Sequence, residues 1–137
     1  MDHLTITAGP FTLKARLLHA EAPQTCAAFL RQLPFRTRMI HVRWSGEAVW
    51  APLGEHDFGV GPENATSHPS RGDVLLYPAQ ASESEILIAY GSCCFASKVG
   101  QLAGNHFLVI EEGRENLAEL GRLCLWQGAQ EVVFDAG

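Results

Sequence analysis

Between Met39 and Glu47 the chain carries His41, Arg43 and Glu47 at spacings that put their side chains within reach of one another. Alternate residues of an extended segment share a face, so His41 and Arg43 stand side by side. A tight turn at Ser45-Gly46 brings Glu47 back toward them. A guanidinium presents paired donors that match a planar carboxylate or amide, which makes Arg43 a candidate anchor for such a ligand. On a solvated outer face, the same residues would form an ordinary cross-strand Arg–Glu pair. Asn105 and His106 open an apolar run after Gly104, and Tyr77 closes another, so its hydroxyl could reach a pocket or merely cap a core. These six residues, Arg43, His41, Tyr77, Asn105, His106 and Glu47, are the candidate ligand-binding set. No nucleophile stands at a recognisable spacing from a base, so no catalytic residue is assigned.

Metal chemistry finds little support. His56, Asp57 and His68 are loosely spaced, and the chain has no H-x-H or H-x-x-x-H pair. No metal and no cofactor are expected. Three short matches carry no weight either. Arg71-Gly72-Asp73 fits a turn into a strand, Asn64-Ala65-Thr66 is an acceptor for sugar only in a secreted protein, and Ser45-Gly46 lacks the surroundings of a hydrolase elbow.

The elements that must position these residues are mostly strands. Leu4 and Ile6 alternate, Ala8-Gly9-Pro10 turns, and Phe11, Leu13, Ala15 and Leu17 alternate again, which predicts a hairpin. Pro23 suits the first position of a helix. Cys26, Phe29, Leu30 and Leu33 follow at i, i+3, i+4, i+7, and Pro34 stops the run, predicting a helix over 23–33. Residues 39–44, 47–53, 73–77, 85–90, 91–96, 106–110 and 132–134 read as strands. In the first of these, Ile40, Val42 and Trp44 are expected to point into the core. The stripe of Leu117, Leu120 and Cys124 predicts a second helix over 115–127, with Gly128 past its end. The segment 54–72, rich in glycine and proline, is long for a structureless loop and is expected to be functional or to hold short strands.

With 47% apolar and 18% charged residues, the chain can build a real core. A net charge of −5 argues against a nucleic-acid surface. No run approaches a membrane span, and the first residues, MDHLTITAG, do not read as a signal peptide. The cysteines, at 26, 93, 94 and 124, form no C-x-x-C pair and read as free thiols of a reduced, cytoplasmic protein.

The order of parts resembles the cyclophilins: a strand ending at Leu17, a short link, Pro23-Gln24-Thr25 opening a helix, and Phe29 on it. Later landmarks agree, with Gly104, His106, Glu112-Gly113 and a helix from Leu117. The middle departs from that pattern, since the Phe-His-Arg strand and the glutamine-containing groove segments of cyclophilins are missing. In their place stand His41-Val42-Arg43-Trp44-Ser45-Gly46-Glu47, with Trp50, and Gly72-Asp73-Val74-Leu75-Leu76-Tyr77. These resemble the bacterial cyclophilin-like proteins of unknown function, which share a Trp-x-Gly-Glu hairpin and a Gly-Asp strand start.

The resemblance implies a mainly β fold: a single domain over 1–137, built as a closed antiparallel β-barrel capped at opposite ends by the helices near 23–33 and 115–127. It also implies a groove to which Arg43, or Arg38, supplies an arginine and His106 a histidine. The first functional reading is a barrel binding a small molecule or short peptide in a groove lined by Arg43, His106, Asn105 and Tyr77, with or without a reaction. The alternatives are a peptidyl-prolyl isomerase with a diverged groove and a non-enzymatic interaction module acting as a homo-oligomer.

Overall fold

The computed structural model describes residues 1–137. The first hairpin pairs β1 (His3–Ala8) with β2 (Phe11–Leu17), and α1 follows at Pro23–Leu30. Next come β3 (Phe35–His41), β4 (Gly46–Gly54), the two-residue β5 (Ala65–Thr66), β6 (Asp73–Tyr77) and β7 (Ser84–Cys93). A small ribbon of β8 (Ala96–Ser97) and β9 (Gly100–Gln101) leads to β10 (Gly104–Glu112), a 3-10 turn at Arg114–Asn116, α2 (Leu117–Trp126) and β11 (Gln130–Ala136). The main sheet runs β2-β1-β11-β3-β4-β7-β6-β10, and β10 pairs back onto β2. Eight antiparallel strands therefore close into a barrel, with β5 a short addition at the β10 rim. No helix is long and apolar enough to cross a membrane.

The barrel interior is one large apolar cluster, to which alternate residues of every wall strand contribute: Leu4 and Ile6, Leu13 and Ala15, Val49 and Ala51, Val74 and Leu76, Ile86 and Ile88. Phe29 of α1 plugs one end. Its ring meets Phe107 and Phe134 edge-on at 5.1 Å each, with Phe35 and Phe58 close by. At the other end of β3, α2 lays Leu117, Leu120 and Cys124 on the core, and the Cys124 thiol reaches Met39 O. The helices thus close opposite ends. Gly121 permits this approach, since a Cβ there would lie 2.5 Å from the Tyr90 ring. Both helices are shorter than the sequence suggests. α1 tapers through Gln32 N–H to Phe29 O, and α2 begins only after the 3-10 turn.

The orientation of β3 corrects a sequence expectation. Met39 is buried in the barrel, whereas Ile40 and Val42 turn outward and Trp44 is 59% exposed. Alternation shows which residues share a face but not which face is the interior. Here the outer face of β4, β6 and β7 has its own apolar layer of Ala48, Leu75, Tyr77, Leu87 and Ala89, covered by Phe95 and Leu102 from the segment around the β8–β9 ribbon. Val42 and Trp50 pack on that outer layer, so these two residues of the hairpin lie outside the barrel while Met39, Val49 and Ala51 lie inside.

β3 also starts at Phe35, four residues before the expected strand, because Phe35, Thr37 and Met39 alternate with the arginines Arg36 and Arg38. Its ladder with β4 stops at Ile40–Trp50. Continuing that register would set Arg38 opposite Pro52, which has no N–H to donate, and the two strands part there.

Candidate functional site

On the outer face, Glu85 is a buried charged residue that packing does not explain. It opens β7 on the same face as Leu87 and Ala89, and it lies between Pro52 of β4 and Tyr77 of β6 in the register. The residue is 4% exposed. Burial, with the nearby Glu83 charge, pushes its carboxyl up to about 8, and no donor offsets either cause. A buried carboxyl left without a partner is expensive unless it stays protonated. Such groups collect at working sites more often than elsewhere.

Glu85 opens into a cleft of about 140 Å³. The floor and one wall are Val42, Trp50 and Ser45, and the β6–β7 bend adds Ser82 and Glu83. Arg43 and Trp44 stand at the rim on the β3–β4 turn, facing Lys98 of the β8–β9 ribbon. Ser45 holds the two sides together. Its hydroxyl donates to Ala96 O and accepts from Ala96 N–H, both at 3.0 Å, while its carbonyl accepts from Cys94 N–H. The turn itself needs Gly46, whose φ is +107° and whose absent Cβ would sit 2.6 Å from Ser92 O. Arg43 and Lys98 share the cavity with Glu85 without coming close enough to hold it ionised.

The six residues chosen from the sequence do not form one site. Arg43 lines the cleft, and the alternative cross-strand pair with Glu47 is not formed. The Glu47 carboxylate instead accepts from Ser92 N–H at 2.8 Å and packs against Gly91. His41 turns to the barrel end under α2. Its Nδ1 is 2.8 Å from Val42 O, so that nitrogen carries the proton, and Nε2 accepts from the Tyr90 hydroxyl at 2.7 Å. Burial and the Glu47 charge raise Tyr90 and keep its phenol protonated for that bond. Tyr77 is buried against Phe95, and its hydroxyl accepts from Ala81 N–H, which shapes the β6–β7 bend.

Asn105 is fully buried and braces the entry to α1. Its Oδ1 accepts from Glu63 N–H, and its Nδ2 donates to Thr25 Oγ1 and Gly61 O. Glu63 in turn accepts from the N–H groups of Gln24 and Thr25 and from the Thr25 hydroxyl. It supplies from a distance the cap that Ala22 cannot.

His106 stands on the outer face of β10, its Nε2 3.2 Å from Asp73 Oδ1, while Asp73 Oδ2 accepts from Ser70 N–H. The expected convergence of Arg43 and His106 on one concavity does not occur. Three strands, β4, β7 and β6, separate β3 from β10. At about 4.8 Å per strand that distance exceeds a side chain's reach.

The cleft residues that sequence reasoning missed are Glu85, Lys98 and Trp50. One signal for Glu85 was present: it is the only charge in the run Glu85-Ile86-Leu87-Ile88-Ala89, on the face of Leu87 and Ala89. A larger concavity of about 710 Å³ lies over Arg36, Arg38, Pro52 and Glu131 where β3 and β4 part. It is wide open and its charged residues are exposed, so nothing in it is poised as Glu85 is. His56, considered for a metal, contacts Gln32 Oε1 and packs beside Phe35 and Phe58.

Residues 4–135 match the model described as "Protein of unknown function (DUF3830)", and the chain belongs to that family. No curated protein matches it by sequence. Among solved structures it is similar to McbB in complex with tryptophan, with a TM-score of 0.75 at 17% identity. That match covers 97% of this chain but only 44% of McbB, so the chain spans less than half of that protein's length. It is similar over 99% of its length to 95% of the hypothetical protein AF2241 from Archaeoglobus fulgidus, with a TM-score of 0.63 and 16% identity. A third similar structure is a Cryptosporidium parvum cyclophilin-type peptidyl-prolyl cis-trans isomerase in the presence of the dipeptide Ala-Pro. There the TM-score is 0.61 at 15% identity, covering 98% of this chain and 99% of that one. At these identities the likeness establishes a cyclophilin-like barrel.

Proposed function

We propose that this member of the family binds a small carboxylate-bearing molecule, or the end of a short peptide, in the cleft on the outer face of its barrel. The observation that carries the reading is the buried, unpartnered Glu85 carboxyl, facing a cavity whose rim holds Arg43 and Lys98. Rim guanidinium and ammonium groups suit a carboxylate, Trp44 and Trp50 offer faces for an apolar or planar group, and Glu85 can exchange a hydrogen bond or a proton with whatever enters. The ligands named with two of the similar structures, tryptophan and Ala-Pro, both carry a carboxylate, which supports the class without fixing the compound.

Calorimetric titration with tryptophan and with Ala-Pro tests the reading. Arg43→Ala should weaken the bound ligand about 10- to 100-fold, the scale of one charge-assisted hydrogen bond. Arg43 is exposed and makes no hydrogen bond or ion pair in the fold, so the variant's stability should stay within about 0.5 kcal/mol of the parent. Unchanged affinity in a variant that still folds would remove Arg43 from the site.

Prolyl isomerisation is expected to be absent. Arg43 and His106 do not share a concavity, and His106 faces Asp73 on β10. A catalyst must favour the transition state with groups that converge on it. A proline-peptide assay should therefore show no acceleration over the uncatalysed rate, and acceleration lost in His106→Ala would reverse this conclusion.

A further inference from the structure

We propose that the buried end of the cleft is a subsite for an ammonium group, so that the ligand is a free amino acid held by its amine at Glu85 and by its carboxylate at Arg43 and Lys98, and that its capture releases one proton. This rests on the preceding reading of the cleft and adds the polarity of what it takes.

The cleft is ordered by charge from depth to mouth. Glu85 lies at the buried end, and the rim cations Arg43 and Lys98 are exposed. The neighbours of Glu85 supply it no donor. β4 offers Trp50 and Pro52, and Pro52 has no N–H. β6 offers Tyr77, whose hydroxyl accepts from Ala81 N–H in the β6–β7 bend and makes no hydrogen bond to Glu85. The β6–β7 bend offers Ser82, which makes no hydrogen bond to Glu85, and Glu83, whose charge only raises the cost of ionising it. A ligand carboxylate pushed to this depth would meet two acidic groups, whereas an ammonium would satisfy both of them. A carboxylate left nearer the mouth meets Arg43 and Lys98, and the amino acid side chain lies along Trp44 and Trp50. A volume of about 140 Å³ suits the head group of such a ligand better than a whole peptide.

The proton count follows from the same groups. In the empty protein at pH 7 Glu85 is largely protonated, because burial has raised it to about 8. When an ammonium seats against it, the carboxyl O–H breaks, the carboxylate pairs with the ammonium, and the proton passes to buffer. No other bond changes.

The test is calorimetry at pH 7 in phosphate and in Tris, whose ionisation enthalpies differ, with L-tryptophan and with indole-3-propionate, which lacks the amine. Tryptophan should release close to one proton. Indole-3-propionate should bind at least tenfold more weakly and release none. Glu85→Gln should abolish the release and weaken tryptophan about tenfold, so that the preference for tryptophan over indole-3-propionate is lost. If that variant fails to fold, the proton count of the parent protein decides alone. Equal binding of the two compounds without proton release overturns the ammonium subsite and leaves the carboxylate-binding cleft standing. Failure of both to bind overturns the cleft reading and this inference together.

Discussion

Thermal and denaturant unfolding should show the protein losing stability as pH rises from about 5 through about 8, and Glu85→Gln should remove most of that loss. The direction follows from the proton balance. The folded carboxyl is raised from 4.5 to about 8, so between those values the native state holds a proton that the unfolded chain has released. Stability falls with pH wherever the native state binds more protons. Below the unfolded value both states are protonated and the residue costs nothing. Above the folded value the full cost of burying its charge is present. Every tenfold difference in proton affinity between the two states is worth about 1.4 kcal/mol, so the loss accumulates to several kcal/mol by pH 9.

Glutamine keeps the shape and cannot ionise, so the variant should match the parent near pH 5 and exceed it at pH 9. Glu63 cannot mimic this slope. Burial pushes it up, but the Thr25 N–H, the Thr25 hydroxyl and the Gln24 N–H outweigh burial and hold it below the usual range. Its contribution is therefore lost only as pH falls into the acid range. Parallel decline of parent and variant above pH 6 would mean that Glu85 is already paired or solvated, and the cleft would lose the feature that marks it as a site.

The barrel is legible in the sequence because its strands alternate and its helices carry an apolar stripe at the right spacing. Leu13, Ala15 and Leu17 announce the hairpin, and Pro23 with Cys26 and Phe29 announces α1. The faces of the later strands are not legible. In β4 the inward Val49 and Ala51 alternate with Ala48 and Trp50, which are apolar too because a second layer covers them. Periodicity cannot say which of two apolar faces is the interior when the covering piece is a loop with no period of its own.

That ambiguity moves the candidate site. His41 and Arg43 share a parity on the strand, yet β3 ends at His41 and the chain turns, so one side chain goes under α2 and the other to the cleft. Glu85 reads as an ordinary strand residue because its meaning lies in burial without a partner, and sequence does not display burial. Asn105 misleads for the opposite reason: a polar residue beside a glycine and a histidine suggests a ligand, while in the fold its amide is taken up by other parts of the chain.

Asn105→Ala should accordingly damage the fold and spare the cleft. The amide makes three bonds at complete burial, to Glu63 N–H at 2.9 Å, to Thr25 Oγ1 at 3.1 Å and to Gly61 O at 2.9 Å. Each such bond contributes about 1 kcal/mol, and each buried partner left unsatisfied adds a desolvation cost, so a loss of about 3 kcal/mol or more is expected. The consequence spreads because the Glu63 N–H bond fixes the residue whose carboxylate caps α1. α1 has no cap of its own, and its eight residues are too few to persist without support. Phe29, which α1 holds against Phe107 and Phe134, would then be less firmly seated.

Asn105→Asp should rescue little. It restores an acceptor for Glu63 N–H, but it cannot donate to Thr25 or Gly61 and it places a second carboxylate beside Glu63. Denaturant unfolding would measure both variants, and hydrogen exchange should show faster opening in 23–30 and 61–64 than in β4 or β7. Ligand binding measured well below the variant's midpoint should equal that of the parent, since no residue of β10 lines the cleft and the bonds of Asn105 go to Glu63, Thr25 and Gly61. A variant that keeps its full stability and loses its ligand would return Asn105 to the binding site and move that site to the rim of β10.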